Sequence, residues 1–327
     1  MKRRKLGTAE VSALGIGAMS FSGFYEPPDR EASLAVLDAA REFGVDHIDT
    51  ANVYGLGVSE EVIGAWIAQN RAPEAFRIAT KAGITRDAER PFDNSAAHLE
   101  SQLDGSLKRL GVERVELFYV HRREASRPIE EVTETLARLV AKGKAAQVGF
   151  SEIAPTSLER ARAVHPIAAV QSEYSLQTRL PELGLVQACE RGGTALVAFS
   201  PVGRGLLTDR PLTRARAAAS EFLRDMPRFS EENMPRNIAA SEPLRRIAAE
   251  AGIGAAGLAI AWVLDRSPAV IAIPGTRNVE HLADLARGAS MEMTGEIRAA
   301  LDEAMPPGWC HGARYTEAQA KAPEDYC

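Results

Sequence analysis

The sequence predicts an α/β fold: a single (β/α)8 TIM barrel over 1–327, with an N-terminal β-hairpin and long loops over its C-terminal face. Three observations predict it. Short apolar, β-branched runs alternate with amphipathic segments of helical spacing, the pattern of buried parallel strands and covering helices. Glycine stands just past four of the helical segments, where a left-handed cap needs no Cβ. No low-complexity linker divides the 327 residues, and barrels of this length form one domain.

The strand runs are eight: 13–17, 45–49, 76–81, 115–121, 145–150, 167–171, 194–199 and 269–274. The clearest helices are 30–43, 95–110, 129–142 and 181–191, followed by Gly44, Gly111, Gly143 and Gly192. Eight β/α units in sequence suit a closed barrel better than an open, doubly wound sheet, which has fewer strands. Before them, a Gly7-Thr8 turn between short runs predicts a hairpin at the barrel bottom. Three stretches break the repeat: 85–94 after strand three, 207–237 after strand seven, and 306–327 at the end. They read as long loops or short extra helices over the barrel mouth.

Lys plus Arg number 39 and Asp plus Glu 44, a net charge of −5. That balance argues against nucleic acid or an anionic membrane surface as a main partner. Cys189, Cys310 and Cys327 make no disulfide framework and suit a reducing compartment. Basic residues open the chain, but no apolar run follows them, and no stretch approaches 18 apolar residues. A cytoplasmic protein without membrane or nucleic-acid partners is expected.

In such barrels the site lies at the C-terminal strand ends, and unusual residues gather there. Strand two ends at Asp49 with Tyr54 and Gly55 just beyond. Strand three ends at Lys81 and strand four at His121. Strand five runs into Ser151 and Glu152, and strand six into Gln171, Glu173 and Tyr174. Each has a plain reading alone: Asp49 a helix cap, Tyr54 a loop anchor, Lys81 a surface lysine, His121 a core histidine. Together, charged groups buried at neighbouring strand ends are costly unless they pair, so one pocket is expected to hold them.

The runs LGIGAM (14–19), HIDTANVYG (47–55), ATK (79–81), YVHR (119–122), VGFSE (148–152), VQSEY (170–174), AFSPVGRG (198–205) and IPGTR (273–277) resemble the aldo-keto reductase superfamily. The chain is most similar to the bacterial and plant branch related to perakine reductase. The resemblance implies that Asp49, Tyr54, Lys81 and His121 form the catalytic tetrad of an NADPH-dependent carbonyl reductase. The chemistry suits those residue types. A free tyrosine titrates near ~10, too high for efficient proton transfer at neutral pH. A neighbouring ammonium lowers that value, so Lys81 is expected to lower it for Tyr54 while Asp49 holds Lys81. His121 would orient or polarise the carbonyl. No metal is required, and the six histidines lack metal-ligand spacing.

There is no GxGxxG after a strand, so the cofactor needs another cradle. The resemblance implies NADPH extended across the mouth, with Gly17, Ala18, Met19 and Asp49 among its contacts. It places Ser151, Glu152 and Gln171 on the carboxamide and Phe199 on the nicotinamide ring. Glu152 departs from the usual Asn, and Phe199 from the frequent Tyr. Ser200, Pro201, Gly203, Arg204 and Gly205 would hold the pyrophosphate. Gly275, Thr276 and Arg277, before a helix, would hold the 2′-phosphate, favouring NADPH over NADH. Asp284 and Leu285 stand where an acidic residue and Asn usually clasp adenine, and His281 could stack on the base. Leucine there predicts weaker cofactor binding.

The substrate pocket is expected to involve Phe21, Phe24, Tyr25 and the loops after strands three, four and seven. Arg122 and Arg123 read as exposed arginines or as a preference for an anionic substrate. Two other functions compete. One is an NADPH-binding regulatory subunit resembling potassium-channel β subunits; the intact tetrad and the absence of an extra N-terminal segment speak against it. The other is a lyase using Lys81 as a Schiff-base nucleophile.

Overall fold

In the computed structural model, which describes residues 1–24 and 27–326, the eight runs form one parallel sheet. Its strands are β3 (Ile16–Gly17), β4 (His47–Asp49), β5 (Arg77–Ala82), β6 (Val115–Val120), β7 (Ala145–Ser151), β8 (Ala169–Glu173), β9 (Ala195–Phe199) and β10 (Val270–Ile273). Each pairs with its successor in the chain. Closure comes from the first strand meeting the last. Leu14 bridges Ala272, and the Gly15 and Gly17 amides donate to Ala272 O (2.8 Å) and Pro274 O (2.9 Å). The result is the expected barrel.

The bottom is plugged by the hairpin of β1 (Arg3–Leu6) and β2 (Ala9–Ser12), turning at Gly7 with φ +58°. Leu6 and Val11 are fully buried against Leu117, Tyr119, Ala169, Val197 and Ile271 of the barrel interior. Gln147 clasps the turn, accepting from Thr8 N (2.7 Å) and donating to Leu6 O (3.0 Å). The hairpin closes this end of the barrel interior.

The covering helices are α1 (Arg30–Glu42), α2 (Val58–Asn70), α3 (Ala96–Leu110), α4 (Ile129–Ala141), α5 (Pro155–Arg162), α6 (Leu185–Gly192), α7 (Arg214–Ala219), α8 (Asn233–Ala240), α9 (Glu242–Glu250), α10 (Ala255–Asp265), α11 (Val279–Ser290), α12 (Gly295–Ala304) and α13 (Glu317–Ala320). Asp29 and Ser95 cap α1 and α3 by accepting from first-turn amides. Gly44, Gly111 and Gly143 are left-handed as expected. Gly192 is not. The helix continues through it, and the left-handed cap is Gly193, φ +63°. Gly192 serves close packing instead: a Cβ there would lie 2.0 Å from the Arg162 guanidinium.

The outer helices pack tightly in one place. A Cβ on Gly288 of α11 would stand 2.0 Å from Gly257 O of α10. Gly288→Ala therefore forces two buried helices apart. A loss of about 1–3 kcal/mol is expected from overpacking of this kind, measured as a lower denaturant midpoint. An unchanged midpoint would show that α11 moves without penalty.

The three irregular stretches do lie where loops were expected. The 85–94 loop is pinned by an Ile84–Phe92 bridge. The excursion after β9 has its own apolar cluster of Leu206, Ala217, Leu223, Met226, Phe229 and Met234, which explains its methionines. The tail after α12 packs onto it through Tyr315. Among the described residues no single helix is long and apolar enough to cross a membrane.

Candidate active site

Three strands deliver three of the four expected side chains. Asp49 ends β4, Lys81 lies near the end of β5, and His121 follows β6; they are 2%, 0% and 6% exposed. Tyr54 opens a 3₁₀ turn, Tyr54–Gly57, after β4. That turn requires glycine at 55. Its φ is +59°, and a Cβ would meet Ser22 at 2.9 Å.

The four groups converge. Lys81 Nζ forms a short ion pair with Asp49 Oδ1 and donates to Thr50 O at 2.7 Å. Its remaining neighbour is the Tyr54 hydroxyl at 3.4 Å. Gln171 Nε2 donates to the other Asp49 oxygen at 2.8 Å. The Tyr54 ring meets Phe24 and His121 edge to face, at centroid distances of 5.8 and 5.7 Å.

Burial and charge set the protonation states. Burial alone would lower the Lys81 pKa, but Asp49 and Tyr54 together outweigh it and hold Lys81 above the usual lysine range. Lys81 is thus an ammonium and not a Schiff-base nucleophile. Burial pushes Tyr54 up; Lys81 pulls it down, and Asp49 pushes it up again. The net shift is upward, opposite to the expectation from Lys81 alone. The carboxylate offsets much of the ammonium's field, and desolvation of the phenolate decides the sign. Burial, then Lys81 and Arg122, hold His121 well below the usual imidazole value, so it is neutral. Its Nδ1 is buried and has no hydrogen-bond partner among the described residues.

Most residues expected to hold a cofactor lie at the C-terminal strand ends or in the segments just after them. Gly17 ends β3, where a Cβ would strike Ile273 O at 2.6 Å; buried Ala18 begins the 3₁₀ turn Ala18–Ser22 that also holds Met19. Ser151 ends β7 and accepts from Arg122 at 2.9 Å. Phe199 and Ser200 are partly exposed at the end of β9, ahead of buried Pro201. The chain then turns through left-handed Gly203 and Gly205. Gly275 is exposed, and Thr276 caps Asn278 N at 3.0 Å. Arg277 donates to Pro27 O across the mouth. His281 is exposed on the first turn of α11.

Several expectations are corrected. Arg204 does not face the phosphate turn. Its guanidinium binds buried Glu173 at 2.5 Å and stacks between Phe222 and Tyr315. Glu152, left-handed at φ +58°, takes both oxygens to Arg314 of the tail and accepts from Glu173 N at 2.8 Å. Both carboxylate oxygens are thus engaged within the protein, where a carboxamide contact was expected. Asp284 caps α10 through the Gly254 and Gly257 amides, at 3.1 and 2.9 Å, instead of standing ready for adenine. Leu285 is 3% exposed in the main core, on the buried face with Leu282 and Gly288. Leucine at 285 is therefore a packing residue, and the weaker cofactor binding expected from it has no structural basis here. Phe21 is also a core residue, fully buried, and does not line a pocket. Tyr25 lies outside the described residues.

Sequence reasoning missed the cluster around Glu173. Arg204, Arg314 and Arg228 all hold its carboxyl below the usual range against the opposing effect of burial. Arg228 lies 3.5 Å from it and donates to Thr178 at 2.6 Å. The cluster ties β8 to the excursion after β9 and to the tail. Glu324 adds a second tie: it accepts from Ala154 N at 2.8 Å and pairs with Arg123 at 2.9 Å. The visible signal was only a Glu in the VQSEY run, since its partners sit in polar loops.

A closed β/α barrel whose mouth joins a carboxylate, an ammonium, a tyrosine and a neutral histidine defines a class of oxidoreductases. The chain belongs to the Aldo/keto reductase family, whose description matches residues 13–305. It is 34% identical to the aldo-keto reductase yakc [NADP(+)] of Schizosaccharomyces pombe, over 95% of this chain and 94% of the relative. It is 36% identical to the aldo-keto reductase str7 of Strobilurus tenacellus, covering 93% of each. Among solved structures it is similar to the glycerol dehydrogenase AKR11B4 from Gluconobacter oxydans, with TM-score 0.81 and 26% identity over 94% of this chain and 96% of that one. A thermostable aldo-keto reductase, Tm1743, solved with the inhibitor epalrestat, matches with TM-score 0.74 and 29% identity, over 93% of this chain and 100% of that one.

Proposed function

We propose that this protein reduces an aldehyde or ketone to an alcohol with NADPH, Tyr54 giving the proton. The observation that carries the proposal is Lys81 Nζ, set between Asp49 and the Tyr54 hydroxyl. The rim residues suit NADPH. Phe199 and Ser200 are partly exposed at the end of β9, and Gly275 is exposed after β10. Arg277, Thr276 and the first-turn amides of α11 offer the donors a phosphate needs. The family and the NADP(+) in the name of the yeast relative support the same cofactor.

When bound, NADPH supplies the hydride for the carbonyl carbon. Tyr54 keeps its proton in the resting protein because burial raises its pKa. It releases that proton to the carbonyl oxygen as negative charge develops there. Lys81 then neutralises the phenolate, and Asp49 keeps Lys81 charged and in place. Neutral His121 can hydrogen-bond the carbonyl oxygen without competing as a stronger acid. The alternative of a binding subunit without turnover has no comparable observation behind it.

Loss of NADPH absorbance with a panel of aldehydes tests the reaction. The cofactor assignment has its own test. Arg277→Ala is expected to weaken NADPH roughly ten- to a hundredfold, the worth of a charge-assisted hydrogen bond, and NADH little. Tryptophan fluorescence from Trp66, Trp262 and Trp309 reads both dissociation constants. Equal losses would make Arg277 a structural residue through its bond to Pro27.

A further inference from the structure

Resting on that reading, we infer that the substrate carries a carboxylate beside its reacting carbonyl and that Arg122 binds it. Four clusters of basic side chains stand near the mouth, and most of their charge is answered internally. Lys81 pairs with Asp49, Arg314 with Glu152, and Arg123 with Glu324. Arg204 and Arg228 share Glu173. Arg122 has no acidic partner among the described residues.

Its placement is fixed by one nitrogen. Arg122 Nη1 donates to His121 O at 2.7 Å and to Ser151 Oγ at 2.9 Å. Both bonds use the same end of the guanidinium, so they hold the plane still while Nε and Nη2 make no hydrogen bond to any described residue. These two form the side of the fork that meets a carboxylate with two parallel bonds. The cation bears on the reacting groups themselves: it helps keep His121 neutral and opposes the upward shift of Tyr54. A group this close to both residues, partly exposed and preorganised, reads the substrate next to its carbonyl. The Arg123 side chain, next in sequence, is 9% exposed and committed to Glu324, so it does not share the task.

The test compares phenylglyoxylate, whose carboxylate adjoins the ketone, with its neutral methyl ester, using the whole protein and NADPH. The wild type is expected to show the higher kcat/KM for the carboxylate. In Arg122→Gln that preference is expected to fall roughly ten- to a hundredfold, the worth of a charge-assisted pair, and Arg122→Lys should restore part of it. A role confined to positioning Ser151 would lower both substrates together and leave the preference intact, which overturns the inference. So does a wild type that prefers the ester. If neither ketone, nor any aldehyde of the panel, consumes NADPH, the carbonyl-reduction reading fails on its own account. Calorimetric binding of benzoate then decides the anion site: tighter binding to wild type than to Arg122→Gln upholds it, and equal binding overturns it.

Discussion

Tyr54→Phe is expected to slow carbonyl reduction roughly 10²–10⁴-fold, the usual worth of a positioned general acid. The substitution removes the hydroxyl and keeps the ring between Phe24 and His121, so the local packing survives. Cofactor dissociation constants should change little. The loss must appear in a single turnover as well as in the steady state, since it belongs to the chemical step. It should also be largest at neutral pH and above, where water offers few protons to the developing alkoxide. If Tyr54→Phe retained more than about half of the single-turnover rate, another group would be the proton donor.

Lys81→Met is expected to remove activity and stability together, and the two losses should then separate in a double variant. Lys81 and Asp49 are both buried. Removing one leaves the other as an unpaired charge, typically at about 3–5 kcal/mol. Asp49→Asn with Lys81→Met removes both charges, and most of that stability should return while activity does not. Gln171, which donates to Asp49, can still donate to the asparagine oxygen. The pH dependence follows from the raised Lys81 pKa. A group whose folded pKa exceeds its unfolded one stabilises fully below the unfolded value, ~10.4 for lysine, and loses that contribution as pH rises through the folded value. The wild type should therefore lose this share of stability only in alkali, and the double variant should lack that alkaline loss. A double variant as unstable as Lys81→Met would show that the pair is not what the core depends on.

What the sequence revealed and what it hid divide by range. The eight strands were readable because a strand buried on both faces is a continuous apolar run. The site was readable because its charged residues interrupt those runs at one end. Neither signal depends on knowing which distant segment comes near. The hidden contacts do depend on it. Glu152 meets Arg314 across 162 positions, and Arg204 meets Glu173 across 31. Both arginines looked like surface residues in polar loops. Asp284 is an acidic residue whose partners are backbone amides of another helix, 27 and 30 positions away, and these carry no side-chain signature. Leu285 is different. Its spacing with Leu282 and Gly288 marks a buried helical face, and the family resemblance outweighed that local pattern wrongly. The Gly192 and Gly193 pair cannot be resolved locally, because either glycine can adopt the left-handed cap that Gly193 takes. The sign of the Tyr54 shift required its burial and the Asp49 charge together, and neighbouring residue types supply neither magnitude.

The central claim is that this barrel turns over a carbonyl, and one measurement addresses it directly. Purified protein is mixed with NADPH and a panel of aldehydes, and the alcohol formed is quantified against the NADPH consumed. One alcohol per NADPH, abolished by neither chelators nor borohydride pretreatment with the substrate, is the expected result. Tight NADPH binding with no oxidation by any aldehyde would contradict the account and leave a binding subunit in its place.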